Sequence, residues 1–493
     1  MRLGHGCLRR GSVFRRSVCF GYPAGVPAPA KVLEALERHF DATIDALIAL
    51  SRIPGVSAPG FDPTEVARSA EAVVRVLEDA GLEHVEILRI GDAHPYVVGD
   101  WLHAGPEAPT VLVYAHHDVQ PPGRLDHWVT PAFEPTIRED GRLYGRGVVD
   151  DKAGLFLHAA ALRAWLEAER ALPLNVKLLV EGEEETGSAH LEEFLRTHRA
   201  RLEADVLVLS DTANLETGLP SLTTSLRGIV NVDVTLRALD HPIHSGMWGG
   251  PVPDAATALA RLLARLVDDD GAIAVPGLLD GAPLLSANER DALDALPLDA
   301  AAFRRDAGML GEAFAGESAC SVYERLWYRP SLSVVALEAM PLSAAANQLI
   351  AEARARIGLR VAPGQDAAHL RDVLLAFLQA NPPLGTRVET EVKAAVDGWR
   401  TEPVGPAFDA ARRAMEAGFE RASVTIGCGA TIPFVGPFAE VLGGVPALLL
   451  GLEDPPCNAH GENESLDLGD FRRAARASAH LLDELARIPR PGS

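Results

Sequence analysis

Histidine and carboxylate side chains come directly after a predicted strand in this chain. The run "TVLVYA" (110–115) predicts a buried strand, and "HHD" follows it as His116, His117 and Asp118. Residues two apart in an extended segment share a face, so His116 and Asp118 are expected to point together and His117 to point away. A lone histidine at a strand end is more often a hydrogen-bonded polar residue than a ligand, so this pair needs partners.

Similar residues follow the other predicted strands. They are Asp150 in "GRGVVDDKAG", Glu184 and Glu185 after "VKLLVEG", Asp211 after "DVLVLS", and His460 in "CNAHGENE" after "VPALLLG". The carboxyl ends of strands in open α/β sheets border the ligand crevice. Buried acids that meet there repel one another unless cations neutralise them. Histidine with carboxylate suits zinc or manganese, so the residues predict a metal site.

Each residue also has a simpler interpretation. Asp150 could cap the helix that follows it. The acidic run 183–185 could lie on a solvated surface, and Asp211 could be a turn residue. Strand-end placement alone leaves these interpretations and the metal site open.

The elements that would position these residues alternate between strand and helix. Strands are predicted at 175–181 and 205–210, and helices at 151–171 and 188–203, which indicates an α/β fold with a largely parallel sheet. After about residue 222 the order becomes β-α-β-β-α-β, as in a ferredoxin-like sandwich. We therefore predict a tail (1–30), a first α/β part (31–221), an inserted α+β domain (222–394) and a second α/β part (395–493).

Composition limits the function classes. The chain has 493 residues, 47% of them apolar, but no apolar run of the roughly 18–20 residues that span a bilayer. Its net charge of −22 argues against nucleic acid or an anionic membrane as partner. Five scattered cysteines form no disulfide framework, which predicts a reducing, cytoplasmic location. The basic first thirty residues lack the apolar centre of a secretion signal and predict a disordered tail or an early start codon.

The ordered motifs resemble one family. H-x-D at His116 and Asp118, "GRGxxDxK" around Asp150, the Glu184–Glu185 pair, "SD" at Asp211 and "NAH" at His460 are similar to those of the M20 zinc metallopeptidases. This family includes acetylornithine deacetylases, aminoacylases, carboxypeptidase G and carnosinase-type dipeptidases. The resemblance covers residues 32 to 488 and implies a zinc-peptidase catalytic domain with an inserted dimerisation (lid) domain.

The resemblance implies a role for each of these residues. His116, Asp150 and Asp211 would hold one metal, while Asp150, Glu185 and His460 would hold a second, with Asp150 as the bridge. Asp118 would steady the ligand histidine, and Glu184 would be the general base. The implied cofactor is two Zn²⁺ per chain, with Mn²⁺ or Co²⁺ possible.

Two residues of the inserted domain also match the family. His244 in "HPIHSGMWGG" resembles a histidine that reaches across a homodimer and stabilises the oxyanion, although it could be a turn histidine. Arg360 in "ARIGLRVAP" resembles an arginine that binds the substrate carboxylate. Arg354 and Arg356 share its face and could form a solvated basic surface instead.

The substrate prediction combines one match with one departure. By resemblance, Asp211 and the segment "HSGMWGG" favour dipeptidases over deacylases. The family's "GG[ST]IP" loop is Gly429-Ala430-Thr431-Ile432-Pro433 here, and Gly427 stands where dipeptidases often carry arginine. We predict hydrolysis of dipeptides or short peptides with a free carboxylate. An N-acyl-amino-acid deacylase is the alternative, and a catalytically silent dimeric scaffold is a third reading.

Overall fold

The computed structural model describes residues 28–432 and 434–489. The predicted tail lies outside these residues except for its last three, and the first helix begins at Ala30. Pro433, in the predicted glycine-rich loop, also lies outside them.

The strands of the described residues fall into one large sheet and three smaller ones. They are β1 (Glu83–Leu88), β2 (Tyr96–Trp101), β3 (Thr110–His116), β4 (Thr136–Ile137), β5 (Arg142–Tyr144), β6 (Asn175–Glu181), β7 (Val206–Ala213), β8 (Ser221–Leu226), β9 (Gly228–Arg237), β10 (Ile243–His244), β11 (Ser331–Glu338), β12 (Gln348–Leu349), β13 (Glu352–Val361), β14 (Arg387–Val396), β15 (Trp399–Arg400), β16 (Val424–Cys428), β17 (Ala447–Glu453) and β18 (Ser465–Asp467).

The helices cover both faces of the large sheet and one face of a smaller one. They are α1 (Ala30–Ser51), α2 (Pro63–Asp79), α3 (Lys152–Glu169), α4 (Leu191–Thr197), α5 (Arg199–Leu202), α6 (Ser245–Trp248), α7 (Ala255–Leu263), α8 (Ala287–Asp294), α9 (Ala300–Asp306), α10 (Val322–Trp327), α11 (Ala367–Ala380), α12 (Pro406–Phe419), α13 (Val435–Val441) and α14 (Leu468–Leu485). None of these helices is both long and apolar enough to cross a membrane.

The large sheet is mixed, whereas the sequence predicted a largely parallel one. Its order is β1-β2-β6-β3-β7-β17-β8-β15, with β16 paired to β8. The pairs β6–β3, β3–β7 and β7–β17 at its centre are parallel, while β1–β2, β2–β6, β17–β8 and β8–β15 are antiparallel. The turn between β7 and β8 is too short for a helical crossover, so the chain reverses direction there.

The apolar runs of the central strands reflect burial on both faces. Val111 and Val113 of β3 pack in a core with residues of α1, α3, α12 and α14. Leu112 and Tyr114 point to the opposite face, into a second core with α4 and α13. Alternate residues of one strand therefore enter different cores, so the strand shows no polar alternation.

The second sheet has the order β11-β13-β9-β14, and all its pairs are antiparallel. Apolar residues from β9 and β13 form one core with α7 and α11. All six elements of the predicted β-α-β-β-α-β pattern are present. The predicted boundary at residue 222 falls inside β8, and the one after residue 394 falls inside β14, so the domain limits stay predictions.

Helices α8, α9 and α10, between α7 and β11, were not predicted. Tyr323 and Trp327 of α10 stack with ring centroids 4.5 Å apart and join Ile426 of β16 in a small core. This segment therefore packs against the edge of the large sheet, beside the glycine-rich loop.

Candidate metal centre

The central strands bring the sequence-predicted ligands to one edge of the large sheet. His116 is the last residue of β3, and Asp211 lies near the end of β7, inside the strand rather than after it. Glu184 and Glu185 begin a 3-10 turn after β6. Asp150, before α3, and His460, after β17, complete the set.

These residues form two groups that share one carboxylate. The ligand atoms of His116, Asp150 and Asp211 lie within 4.8 Å of one another, and so do those of Asp150, Glu185 and His460. The two oxygens of Asp150 point to different groups: Oδ1 is 3.0 Å from His116 Nε2, and Oδ2 is 2.9 Å from His460 Nε2. Asp150 therefore lies between the two groups.

Asp118 lies behind the ligand atoms and organises them. The His116 Nδ1 lies 3.1 Å from the backbone carbonyl of Asp118, which leaves Nε2 for a metal. The carboxylate of Asp118 accepts hydrogen bonds from the backbone amides of Glu184 and Glu185, at 3.2 and 3.1 Å, and from the Ser57 hydroxyl. One buried carboxylate thus fixes both β3 and the turn after β6.

His117 points away from the centre, as strand alternation predicts. Its Nε2 lies 3.0 Å from the Pro95 carbonyl oxygen, and burial lowers its pKa to about 4. His117 is therefore a neutral, buried side chain outside the ligand groups.

Glu464 positions Asp150 and was missed in the sequence. Its carboxylate forms an ion pair of 2.7 Å with Arg146 and accepts from the backbone amides of Gly147 and Val149, so it holds the loop that ends at Asp150. Glu464 is the second glutamate of "HGENE", four residues after the predicted ligand His460. That spacing from His460 was the available signal.

The electrostatics of the centre call for positive charge. Burial and then neighbouring acids raise the pKa of Glu184 and of Asp211 well above the usual range. Hydrogen bonds to Asp150 and Glu185 raise the pKa of His460 to about 11. The positive charge near these acids is too small to neutralise them. A donor set of two imidazoles and three carboxylates fits divalent metal ions.

A cavity of about 760 Å³ joins the ligands to Arg360 of β13. The Arg360 guanidinium donates a 2.9 Å hydrogen bond to the Thr431 hydroxyl, and burial lowers its pKa. Arg356 instead forms an exposed ion pair with Asp233, and Arg354 one with Glu352. Of the three arginines, Arg360 alone is among the residues that line the cavity.

A second arginine, which the sequence analysis missed, lies beside Arg360. Arg227 donates to the Gly429 carbonyl at 3.0 Å and to Ser331, and burial followed by repulsion from Arg360 lowers its pKa to about 10. The departure at Gly427 has a steric cause, since a Cβ there would lie 2.5 Å from the Cβ of Trp327. Trp327 therefore excludes any larger residue at this position.

His244 is not among the residues that line the cavity. It lies in β10, which pairs with β12, and its exposed ring accepts a hydrogen bond from the Gly246 amide. The single chain therefore does not bring His244 to the metal ligands.

Comparisons with known proteins identify the family of this chain. The model of the peptidase family M20/M25/M40 matches residues 112–484. The cysteinylglycine-S-conjugate dipeptidase of Corynebacterium striatum is 31% identical over 417 residues, covering 84% of this chain and 89% of that protein. Human carnosine dipeptidase 1 has a TM-score of 0.79 at 26% identity, covering 93% of this chain and 100% of that chain.

The fold alone is also shared with a di-peptidase, Dug1p, of Saccharomyces cerevisiae, with a TM-score of 0.82 at 24% identity over 93% of this chain and 99% of that one. The family match covers more than half of the sequence and includes every predicted ligand. The chain therefore belongs to the peptidase family M20/M25/M40 and is a hydrolase of the metallopeptidase type.

Proposed function

We propose that this protein is a two-metal dipeptidase that cleaves the amide bond of dipeptides or short peptides with a free C-terminal carboxylate. The observation that carries the proposal is the pair of ligand groups that share Asp150 in the same cavity as Arg360. Relatives named as dipeptidases support the substrate class. All five ligands and Glu184 are present, which argues against a catalytically silent scaffold.

The ligand groups fit two divalent ions, for which we propose zinc, with manganese or cobalt as alternatives. His116, Asp150 and Asp211 would hold one ion, and Asp150, Glu185 and His460 the other. Such ions polarise the scissile carbonyl and make a water molecule more acidic.

Glu184 supplies the proton transfers. Glu184 lines the cavity, and burial raises its pKa above the usual range. A carboxylate in this position can act as a general base. Glu184 accepts the proton of the attacking water and then donates it to the leaving amine nitrogen. Asp118 holds the Glu184 backbone amide, so the base stays in place during both transfers.

Arg360 selects the free carboxylate. A guanidinium binds a carboxylate through two parallel hydrogen bonds, and the partly buried position of Arg360 strengthens such a pair. Thr431 fixes the guanidinium at the cavity wall. The substrate carboxylate would thus anchor the peptide with its amide bond over the ligand groups.

We also propose a homodimer in which the partner subunit supplies the oxyanion-stabilising histidine. His244 is exposed on the short β10–β12 ribbon and makes only a local hydrogen bond among the described residues. Stabilising the oxyanion would require His244 from a second copy of the chain, because His244 is not among the residues that line the chain's own cavity. The predicted cytoplasmic location rests on the cysteine pattern and stays a prediction.

The test compares free, amidated and N-acylated substrates with purified, metal-loaded protein. We expect hydrolysis of dipeptides and a KM for their amidated forms at least about tenfold higher, because Arg360 then lacks its carboxylate partner. Arg360→Ala should raise KM for the free dipeptides and so reduce the difference in KM between free and amidated dipeptides. Arg356→Ala, on the same strand, should change neither KM.

Two results would contradict the proposal. Equal hydrolysis of free and amidated dipeptides by the wild type would remove the role of Arg360. A strong preference for N-acyl amino acids over every dipeptide would identify a deacylase instead.

A further inference from the structure

A second cavity, of about 410 Å³, lies beside the metal cavity. Its walls are mostly apolar and include Phe303 of α9, Tyr323 and Trp327 of α10, and Leu298 and Ile426. We call it the side pocket. Concave, aromatic-lined spaces of this size are typical of sites for small ligands or side chains.

The side pocket and the metal cavity share a wall. Ala213, at the end of β7, and Cys428, at the end of β16, line both spaces. Ala213 follows the predicted ligand Asp211 by two residues. The two spaces therefore adjoin each other at this wall.

Glu453 lies next to this shared wall, on the side of the metal cavity. It pairs with Ala213 in the sheet, and its backbone carbonyl accepts from the amide of Asn214, which lines the side pocket. Glu453 is among the residues that line the metal cavity.

The Glu453 carboxylate interacts electrostatically with Asp150 and His460 but is not hydrogen-bonded to either of them. Across residues 28–432 and 434–489, no side chain forms a hydrogen bond or ion pair with its carboxylate. A carboxylate at the wall of a substrate cavity calls for a cation, because burial without one is costly. Arg360 supplies positive charge for one end of a dipeptide, and Glu453 supplies negative charge for the other.

We propose that the side pocket is the subsite for the side chain of the substrate's N-terminal residue, with Glu453 as the acceptor for that residue's ammonium group. This inference rests on the proposed function and extends it to the class of substrate. The charges assign the two ends of the substrate: Arg360 suits the carboxylate and Glu453 the ammonium, and the side pocket adjoins the wall beside Glu453. The favoured substrate has a free amine and a large apolar or aromatic N-terminal side chain.

The rim of the side pocket also indicates what it excludes. Glu216 and Asp306 line it and are exposed, so their carboxylates would repel an acidic side chain. The aromatic walls instead favour leucine, phenylalanine and similar residues.

The first experiment measures kcat/KM for Gly-Gly, Leu-Gly, Phe-Gly, Glu-Gly and Gly-Phe. We expect Phe-Gly to exceed Gly-Gly by roughly 10- to 100-fold, because an apolar side chain leaves water, and Glu-Gly to be the poorest. Ala302→Trp, in the wall formed by α9, should fill the pocket and bring the Phe-Gly to Gly-Gly ratio close to one. Leu298→Trp is a second filling variant.

Ala301→Trp is the matched control, since Ala301 is exposed on the same helix and is not among the lining residues. It should keep the wild-type ratio. Unchanged ratios in both filling variants would overturn the pocket assignment. A preference for Gly-Phe that Ala302→Trp removes would overturn the assignment to the N-terminal residue.

The second experiment tests Glu453 by comparing Phe-Gly with N-acetyl-Phe-Gly. The wild type should prefer the free amine by on the order of 10- to 100-fold, as for a hydrogen bond to a charged group, and Glu453→Gln should largely remove that preference at unchanged metal content. An equal loss for both substrates would show that Glu453 supports only the ligand groups.

Binding of L-phenylalaninamide, measured by calorimetry, separates failure of the inference from failure of the proposed function. This probe has the ammonium and the phenyl group but no free carboxylate, so it is not a substrate of the proposed reaction. Binding that is lost in Ala302→Trp and weakened in Glu453→Gln would support the subsite even if no dipeptide were hydrolysed. Equal binding by wild type and both variants would overturn the subsite even if dipeptides were hydrolysed.

Discussion

Glu184 and Glu185 are neighbours in the chain, but their carboxylates have different surroundings. Glu185 lies 3.2 Å from the His460 imidazole and accepts hydrogen bonds from the Gln120 side chain and amide. No such bond to the Glu184 carboxylate is found in the described part of the chain. Glu185 is therefore held as a ligand is, while Glu184 stays available for proton transfer.

We predict that Glu184→Gln keeps fold and metal content but lowers kcat by on the order of 10²–10⁴-fold, the usual contribution of a placed general base. Kinetics and metal analysis on the same sample check this. Glu185→Gln is the matched variant and should lose bound metal. Near-normal kcat in Glu184→Gln, with an activity loss but full metal in Glu185→Gln, would mean that the two roles are reversed.

The shared position of Asp150 predicts metal stoichiometry. The protein should bind two divalent ions per chain, and Asp150→Ala should lose both because each ligand group includes this residue. His460→Ala should weaken one ion only, and Asp126→Ala, an exposed acid, should change neither. Elemental analysis after dialysis against zinc measures this, and at most one ion in the wild type would contradict the bridged arrangement.

The strand ends together with the family resemblance were sufficient to predict which residues meet in the two groups, but not the residues that support or surround them. His116 and Asp211 can be found from strand placement together with the family resemblance. Glu464 and Arg227 act through partners more than 200 residues away in the sequence, Arg146 and Gly429, so no local pattern shows their roles. Glu453 was missed for the same reason, because its role depends on which cavity the end of β17 borders.

At the scale of elements, strongly patterned segments were predicted well. The strand at 175–181 coincides with β6, and the helix at 151–171 contains α3. The predicted helix at 188–203 is divided into α4 and α5, because His198 leaves the helical conformation. Short antiparallel strands such as β8 could not be predicted, since their pairing depends on distant segments rather than on local periodicity.

His158 links helix α3 to helix α14 and to strand β7 of the large sheet. It lies on α3, and its two ring nitrogens lie 2.9 Å from the Ser478 hydroxyl of α14 and 3.0 Å from the Ser210 hydroxyl of β7. Burial lowers its pKa to about 3. His158 is therefore neutral in the folded protein near neutral pH.

This pKa predicts a loss of stability in acid. An unfolded histidine binds its proton near pH 6.5, whereas folded His158 does so only near pH 3, so stability should fall as pH drops below about 6.5. The loss is about 1.4 kcal/mol per pH unit. His158→Gln should reduce the pH dependence of the urea midpoint of chelator-treated protein between pH 7 and 5. His241→Gln, an exposed control, should not.

At the scale of the whole molecule, one edge of the four-stranded sheet is open. β11 is an edge strand, and Val335 and Leu337 on it are 60% and 63% exposed. Unpaired apolar edges favour association with another chain. His244 is exposed in the chain segment between β9 and β11, and we propose that a two-fold contact through this sheet is how it reaches a partner's cavity.

The last prediction tests that shared site by complementation. His244→Ala and Glu184→Gln chains should each be nearly inactive alone, because every homodimer then lacks one of the two groups at both sites. After subunit exchange, a heterodimer holds one intact site, with Glu184 from one chain and His244 from the other. Random mixing in equal amounts should restore roughly a quarter of wild-type activity, since half of the dimers are mixed and each has one working site of two.

A mixture of His244→Ala with wild type, followed by size-exclusion chromatography and exchange of labelled chains, controls for subunit exchange. If exchange is complete and no activity returns, His244 acts within its own chain or has no catalytic role.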